Sequence, residues 1–369
     1  MFSKPDLKAE HIKRVVVRST NWVGDVVMTI PALRELRRVL PNAHLTLATR
    51  SWAVGLFDEA DFIDDILIYD RGKSGVRAVM RQAGEWRRRR FDLAVLFQNA
   101  FEAALLAVAG RVPIRLGYAT DGRRALLTHP VALPVWKSER HEVFYYLNIV
   151  AELERLLDGT SQALQREPVF DLNVSTTRKD RARELLSASG ARDNRPLVAL
   201  CPGSTNSRAK RWPAKFYAGL ADRIMTETDA DVALIGAADE LDVSHEVAGL
   251  MRQQPLLLTG RTSLAEAVAV LSQADVLVTN DTGPAHIAAA LNRPTLVIFG
   301  PTDPTTTRPY SSVAEVIRRP PDCAPCMLRD CPIDHRCMTA ISPDEVFTRV
   351  SSLVQTVDCH RDTEAQRQL

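Results

Sequence analysis

The stretch "VTNDTGPAHIAAALNRPTLVIFGPTDPTTTRPY", residues 278–310, decides how the chain folds. It opens on the end of an apolar run, Val276 to Val278, and passes through a small, polar, glycine-bearing turn, "NDTGPAH". A helix-compatible "AHIAAAL" follows, then a second apolar run, "TLVIFG" at 295–300, and another polar loop. The order strand, turn, helix, strand belongs to α/β proteins, whose ligands sit at the turns that leave the strands. Hydroxyls and backbone N–H groups beside a helix N-terminus suit phosphate oxygens and ribose hydroxyls. Here Thr282 is placed to cap the helix, Gly283 lets backbone approach a ligand, and Pro284 suits the first helical turn. His286 either points a ring nitrogen back at the same site or is a satisfied helix histidine.

Working outward, the pattern repeats. Strand candidates are "VVVR" (15–18), "LTLAT" (45–49), "DILIYD" (65–70), "LAVLF" (93–97), "VPIRLGY" (112–118), "LVALC" (197–201), "DVALIG" (231–236), "PLLLTG" (255–260), "DVLVTN" (275–280) and "TLVIFG". Helix-length amphipathic segments lie between them at 25–39, 143–157, 177–189, 214–227, 239–252, 263–272 and 284–291. "SLAE" at Ser263 and "SPDE" at Ser342 have the composition of capping boxes. Such alternation predicts an α/β fold of mostly parallel sheets with helices on both faces. The polar, aperiodic "DGTSQALQREPVFDLNVSTTR" follows the helix at 143–157 and divides the chain into domains 1–172 and 173–355. Each half opens with a buried strand running into a glycine-bearing turn, "VVVRSTNWVGD" and "LVALCPGSTNS", so two similar α/β halves facing a central cleft are expected. Residues 356–369 lack apolar periodicity and are expected to form a flexible tail.

With 46% apolar and 25% charged residues, the chain can bury sizeable cores, and no run nears the roughly 18 apolar residues of a membrane helix. The opening "MFSKPDLKAEHIKR" carries no apolar signal-peptide region, which predicts a cytoplasmic protein. Six irregularly spaced cysteines point to thiols or a metal site rather than a disulfide framework. The net charge of +2 is unevenly spread. Residues 71–92, "RGKSGVRAVMRQAGEWRRRRFD", hold eight Lys or Arg against Glu85 and Asp92, and Arg111, Arg115, Arg123 and Arg124 follow. That half suits an anionic partner, or the run is a solvated helix face. No zinc finger, RNA-recognition signature or basic–aromatic stripe supports nucleic acid. The absence of G-x-G-x-x-G and of G-x-x-x-x-G-K-[ST] argues against hydride transfer and P-loop hydrolysis.

The segments after strands in the second half, "PGSTNSRAKRWP", "GAADE", "TGRTS", "NDTGPAH" and "GPTDPTTTRPY", are all rich in Gly, Ser, Thr and Asp. Lys210 is either a fixed positive charge for a phosphate or a solvated lysine at a helix start, where a cation is mildly unfavourable. Asp229 and Asp231 precede a strand, the wrong end for a nucleotide-bound metal. In the first half Asp25 opens a helix directly after a glycine turn, as an N-terminal cap or as a general base facing the cleft. Cys323, Cys326, Cys331 and Cys337, with His335 among them, supply enough ligands for a structural zinc, or are thiols packed under a loop.

Together, "NWVGDVVMTIPALRELRRVLPNAHLTLAT", "CPGSTNSRAKRWP" and "TNDTGPAHIAAALNRPTLVIFGPTDP" resemble glycosyltransferase family 9, the bacterial ADP-heptose:lipopolysaccharide heptosyltransferases. "RLGYATDGRRALLTH" and the cysteine-rich segment turn the resemblance towards the heptosyltransferase II branch, with I and III as alternatives. The resemblance implies a GT-B fold of two Rossmann-like domains and inverting transfer of heptose from ADP-heptose to a heptosyl-Kdo2-lipid A acceptor. It implies no catalytic metal and a peripheral position at the inner face of the cytoplasmic membrane. Asp25 becomes the base, with Asn21, Trp22, Gly24, Arg123 and Arg124 on the acceptor side. Lys210 offsets charge on the departing ADP. Ser204, Thr205, Asn206, Asp281, Thr282, Gly283 and His286 line the nucleotide, and Asp239 or Glu240 holds the ribose. Two other readings are a GT-B sugar-nucleotide epimerase and a zinc-stabilised polyanion-binding protein.

Overall fold

The computed structural model describes residues 7–70 and 75–367, without the side chains of 75–76 and 357–367. The chain forms two compact units, Met1–Phe170 and Asp171–Leu369.

The first unit is built from β1 (Arg14–Arg18), α1 (Val23–Met28), α2 (Ile30–Val39), β2 (His44–Thr49), β3 (Asp65–Ile68), α3 (Gly75–Arg89), β4 (Leu93–Leu96), α4 (Phe101–Ala109), β5 (Ile114–Tyr118), β6 (His129–Val131) and α5 (Glu142–Asp158). Its sheet is parallel throughout, in the order β3-β2-β1-β4-β5-β6. Both faces are covered. Val16, Ala94 and Leu96 on one face meet Trp86 of α3 and Leu106 and Ala107 of α4, while α1, α2 and α5 pack together elsewhere in the unit. The helix expected over 25–39 is two helices. Pro31 has no N–H for the helical ladder, and the Thr29 hydroxyl donates instead to the Val26 carbonyl (2.7 Å), so the run breaks at Thr29. Neither α3 nor α4 stands among the expected helices. The charge of α3 and the short apolar run of α4 hid their periods.

The second unit comprises α6 (Thr176–Ala188), β7 (Leu197–Cys201), α7 (Ala214–Glu227), β8 (Asp231–Leu234), α8 (Leu241–Leu250), β9 (Leu256–Leu257), α9 (Leu264–Gln273), β10 (Val276–Asn280), α10 (Gly283–Ala290), β11 (Thr295–Phe299), α11 (Pro304–Thr307), β12 (Ala314–Arg318), α12 (Arg336–Thr339) and α13 (Pro343–Arg367). Its sheet, β12-β11-β10-β7-β8-β9, is also parallel and repeats the strand order of the first. Strands β7, β10 and β11 are buried at every position, the burial expected of a parallel sheet covered on both sides. Ser263 and Glu266 close the expected capping box at α9, and the Ser342 hydroxyl accepts from the Glu345 N–H at α13 (3.2 Å). Helix α13 includes residues 356–367 of the segment expected as a tail; 368–369 lie outside the described residues.

In each sheet the strand order reverses between the first and fourth strands of the unit, β1 and β4 or β7 and β10. Loops leaving these pairs splay apart and open a crevice at the carboxyl ends. The segments 19–25 and 202–210, and the turn 281–283, all lie there.

Candidate active site

The second unit's crevice begins at the end of β7. Gly203 is required there: a Cβ would stand 2.3 Å from the Glu240 carboxyl group. Gly236, after β8, would put its Cβ 2.9 Å from Glu240 Oε2. The Glu240 carboxylate therefore lies across two strand ends, where its Oε2 accepts from the Ala237 N–H (3.0 Å) and its Oε1 from the Thr205 hydroxyl (3.4 Å). Burial raises its pKa, and the Ala237 hydrogen bond only partly opposes that. Of the two acids that the sequence left as alternatives, Glu240 is buried in this crevice and Asp239 is exposed. Ser204 is buried, whereas Thr205 and Asn206 are exposed.

Asn280, the last residue of β10, is fully buried and ties the site together. Its amide donates to the carbonyls of Pro202 (2.9 Å) and Gly203 (3.0 Å), and its oxygen accepts from Trp212 N–H (3.0 Å) and Tyr217 OH (3.2 Å). One side chain thus fixes the β7 turn, the start of α7 and the end of β10. A polar residue closing an apolar strand is the signal of this role that the sequence carries.

Next to it, Lys210 is half-buried and not at the start of an α-helix. It ends a single 3-10 turn, Arg208–Lys210, and its Nζ reaches across the crevice to Asp281 Oδ2 (2.7 Å) and the Asp281 carbonyl (3.2 Å). The same Oδ2 accepts from the Thr302 hydroxyl (2.7 Å). Asp281 is 6% exposed and the Lys210 side chain 26%, so the pair presents the ammonium rather than the carboxylate to solvent. Thr282 occupies the N-cap position of α10 without capping it. Its hydroxyl turns back to the Asn280 carbonyl (3.3 Å), which leaves the helix N-terminus without a side-chain cap. Pro284 lies in the first turn as expected, and His286 is buried further along the helix.

The cysteine-rich segment braces the Lys210 turn from outside. Arg329 O accepts from the Ala209 N–H (2.9 Å) and the Ser207 hydroxyl (3.2 Å), His335 Nε2 donates to Ala209 O (2.6 Å), and Asp330 pairs with Arg208 (2.7 Å). Among the described residues, Cys201, Cys323, Cys326, Cys331 and Cys337 are unpaired thiols. Burial, and then Cys331, Cys326 and Cys323, push the Cys337 thiol up. Among the described residues no group of three or more His, Cys, Asp or Glu is arranged to hold a metal. Asp231 is engaged by Arg192 (2.8 Å) and Asp229 by Arg195 (2.7 Å), at the amino ends of the strands.

In the first unit Asp25 is not a cap. The N-cap position of α1 is Trp22, and Asp25 lies within the first turn, where a carboxylate complements the helix dipole. The Tyr146 hydroxyl, carried on α5, donates to Asp25 Oδ1 (3.4 Å). Burial and then the Asp25 charge raise the Tyr146 pKa well above its ordinary value, so the phenol stays a donor at neutral pH. Trp22 is 55% exposed beside it, and Asn21 Oδ1 accepts from Arg50 Nε (3.3 Å). Arg18, buried, stacks its guanidinium 4.1 Å from the centre of the Tyr69 ring, and Arg50 approaches that ring at 5.4 Å. Neither arginine stood out in the sequence.

Arg123 and Arg124, expected on the acceptor side, differ in their surroundings. Arg123 is fully buried and donates to Tyr118 O (2.9 Å), Asn99 Oδ1 (2.9 Å) and Gln98 O. Burial lowers its pKa. It ties the β5 and β4 loops together, while Arg124 is exposed. The Arg87–Arg90 run also lies away from the crevice. Asp92 accepts from the N–H groups of Lys13 (2.9 Å) and Arg14 (2.8 Å), and the Arg14 guanidinium donates to Arg89 O (2.9 Å), so the run sits at the amino edge of β1. Residues 71–74 of the basic segment lie outside the described residues.

A family model for glycosyltransferase family 9 (heptosyltransferase) matches residues 79–336. The chain belongs to glycosyltransferase family 9. It is 28% identical over 312 residues to lipopolysaccharide heptosyltransferase 2 of Escherichia coli (strain K12), covering 83% of this chain and 88% of the relative. It is 27% identical over 318 residues to lipooligosaccharide heptosyltransferase 2 of Haemophilus ducreyi, with the same coverage. The solved structure of E. coli ADP-heptose lps heptosyltransferase II superposes with a TM-score of 0.80 at 26% identity, covering 94% of this chain and 99% of that one. The fold of this family 9 member is accordingly GT-B, with two Rossmann-like α/β domains and parallel sheets.

Proposed function

We propose that this family 9 enzyme transfers heptose from ADP-heptose to the inner-core heptose of a heptosyl-Kdo2-lipid A acceptor, with inversion and without a catalytic metal. The observation that carries the reading is Lys210 held across the β7–β10 crevice by Asp281, beside the uncapped N-terminus of α10. A fixed ammonium and a helix N-terminus supply positive field where the leaving diphosphate gathers charge. Glu240, laid over Gly203 and Gly236, offers its carboxylate to the ribose hydroxyls, with Ser204, Thr205 and Asn206 on the phosphate side. Asp25 takes the proton of the acceptor hydroxyl as it attacks the anomeric carbon. Tyr146 occupies one carboxylate oxygen and orients the other. Similarity to heptosyltransferase 2 relatives supports the second-heptose step. The test supplies ADP-heptose with acceptors bearing no heptose, one or two, and follows ADP release and acceptor mass. Extension of the one-heptose acceptor supports the reading; extension only of another places the enzyme at that step, and epimerised or free sugar without extension overturns transfer.

A further inference from the structure

Between β12 and α12 the chain runs from Arg319 to His335 without a helix or strand. Irregular loops longer than about 12–15 residues are uncommon in compact domains and are usually functional. This loop, with the first turn of α12, holds four of the six cysteines of the chain: Cys323, Cys326, Cys331 and Cys337. Cysteine is ordinarily among the most buried residue types. Here Cys323 is exposed, Cys326 and Cys331 are half-buried, and Cys337 alone of the four is buried. A Cβ on Gly300, at the end of β11, would stand 3.2 Å from the Cys337 Sγ, so that thiol is accounted for by packing. The outer thiols are not, and their reactivity is what remains to explain them. Cys323 and Cys326 form a C-x2-C pair, the spacing of thiol–disulfide exchange sites. Asp334, and after it the charges of Cys323 and Asp322, raise the pKa of Arg336, which places a guanidinium within range of the outermost thiol.

The loop is tied to both walls of the Lys210 crevice. Met327, directly after Cys326, donates its N–H to Pro301 O (2.9 Å), and the residue after Pro301, Thr302, holds Asp281 Oδ2 (2.7 Å). On the other wall Arg329 O takes the Ala209 N–H (2.9 Å), beside Lys210. We propose that Cys323 and Cys326 are a modification site, oxidised to an intramolecular disulfide by a small-molecule disulfide of the glutathione class, and that the bridge weakens nucleoside-diphosphate binding at Lys210. The Cys323 sulfur attacks one sulfur of the oxidant, forming a mixed disulfide and releasing half of the oxidant as a thiol. The Cys326 sulfur then attacks Cys323 and releases the other half. The two cysteine thiols lose two electrons and two protons, and the oxidant gains both as two thiols. Closing the bridge draws the Cys326 backbone towards Cys323 and the Met327 N–H away from Pro301 O, which slackens the hold of Thr302 on Asp281 and of Asp281 on Lys210. That consequence rests on the nucleotide reading above; the modification itself does not.

The experiment equilibrates the full chain with reduced or with oxidised glutathione in EDTA, maps the thiols by alkylation and peptide mass, and measures ADP affinity by calorimetry in both states. Oxidised glutathione should remove two alkylatable thiols and link Cys323 to Cys326. Loss of about one hydrogen bond's net contribution should raise the Kd for ADP about 2–12-fold, and reduction should restore it. C323S/C326S should bind ADP in both buffers as the reduced wild type does, whereas C331S should respond as wild type. The wild type in its two states decides the matter even if a variant fails to fold. A bridge to Cys331 or Cys337, a mixed disulfide that never closes, unchanged ADP affinity on bridging, the same fall in C323S/C326S, or a zinc or iron ion held by these thiols in the chain as purified would each overturn the proposal. Absence of ADP binding in the reduced wild type overturns the nucleotide reading and the consequence drawn from it, while a missing bridge beside normal ADP binding overturns this proposal alone.

Discussion

Lys210→Ala and Asp281→Asn, taken singly and together, test how charge is arranged in the β7–β10 crevice. Lys210 Nζ lies 2.7 Å from Asp281 Oδ2 and is the more exposed partner. A charge-assisted hydrogen bond from that ammonium to a phosphate oxygen is worth roughly 1.5–3 kcal/mol, so Lys210→Ala should weaken ADP binding by about 10–150-fold. Two terms add to that loss: the field of Lys210 goes, and the Asp281 carboxylate is left to repel the diphosphate. Asp281→Asn frees Lys210 from its anchor but also removes the nearby negative charge, and these oppose each other, so its loss stays within about tenfold. The double variant has no cation to orient and no carboxylate to repel. Its loss should fall below that of Lys210→Ala alone, a coupling of about 1–2 kcal/mol in the double-mutant cycle. Titration calorimetry with ADP in EDTA reads all four corners, with thermal unfolding confirming that each variant is folded. Unchanged affinity in Lys210→Ala, or losses that add across the cycle, would refute the arrangement.

Asp25→Asn should leave ADP affinity intact and lower kcat by roughly 10²–10⁴, the range for removing a general base, in a steady-state transfer assay; near-wild-type turnover would return Asp25 to a purely structural role at the start of α1. Glu240 has a folded-state pKa raised above its ordinary 4.5 by burial. Its contribution to stability is therefore complete below that value and is lost as pH rises through the folded pKa. Glu240→Gln should unfold at a higher temperature than wild type at pH 7, with the gap closing towards pH 4.5, and should bind ADP more weakly. Arg123→Met leaves the Tyr118 and Gln98 carbonyls and the Asn99 amide oxygen without their donor, so urea unfolding should show a loss of at least about 3 kcal/mol. Arg124→Gln should lie within about 0.5 kcal/mol of wild type.

The parallel α/β architecture was legible because buried strands must be apolar along their length, and β7, β10 and β11 read that way at once. Helix α3 was masked by its arginines, α4 by its shortness, and β6 and β12 by polar residues at the edges of the sheets. In the site, the residue types of the β7 and β10 turns were visible, but their partners were not. That Lys210 rests on Asp281, and that Asn280 joins three segments, depends on strands far apart in sequence lying side by side. The choice of Glu240 over Asp239 rests on the two glycines beneath its carboxylate, which no local pattern reveals. The bonds that Arg123 makes were hidden for the same reason. The carbonyls of Gln98 and Tyr118 come around it only when β4 and β5 lie side by side.

Incubating the wild-type chain with ADP-heptose and heptosyl-Kdo2-lipid A in EDTA, while following ADP release, acceptor mass and anomeric configuration, decides whether the enzyme is an inverting, metal-independent heptosyltransferase. Stoichiometric ADP release, one added heptose and inversion at the anomeric carbon are expected. No extension of the acceptor, extension only on adding a divalent metal, or retained configuration would contradict that reading.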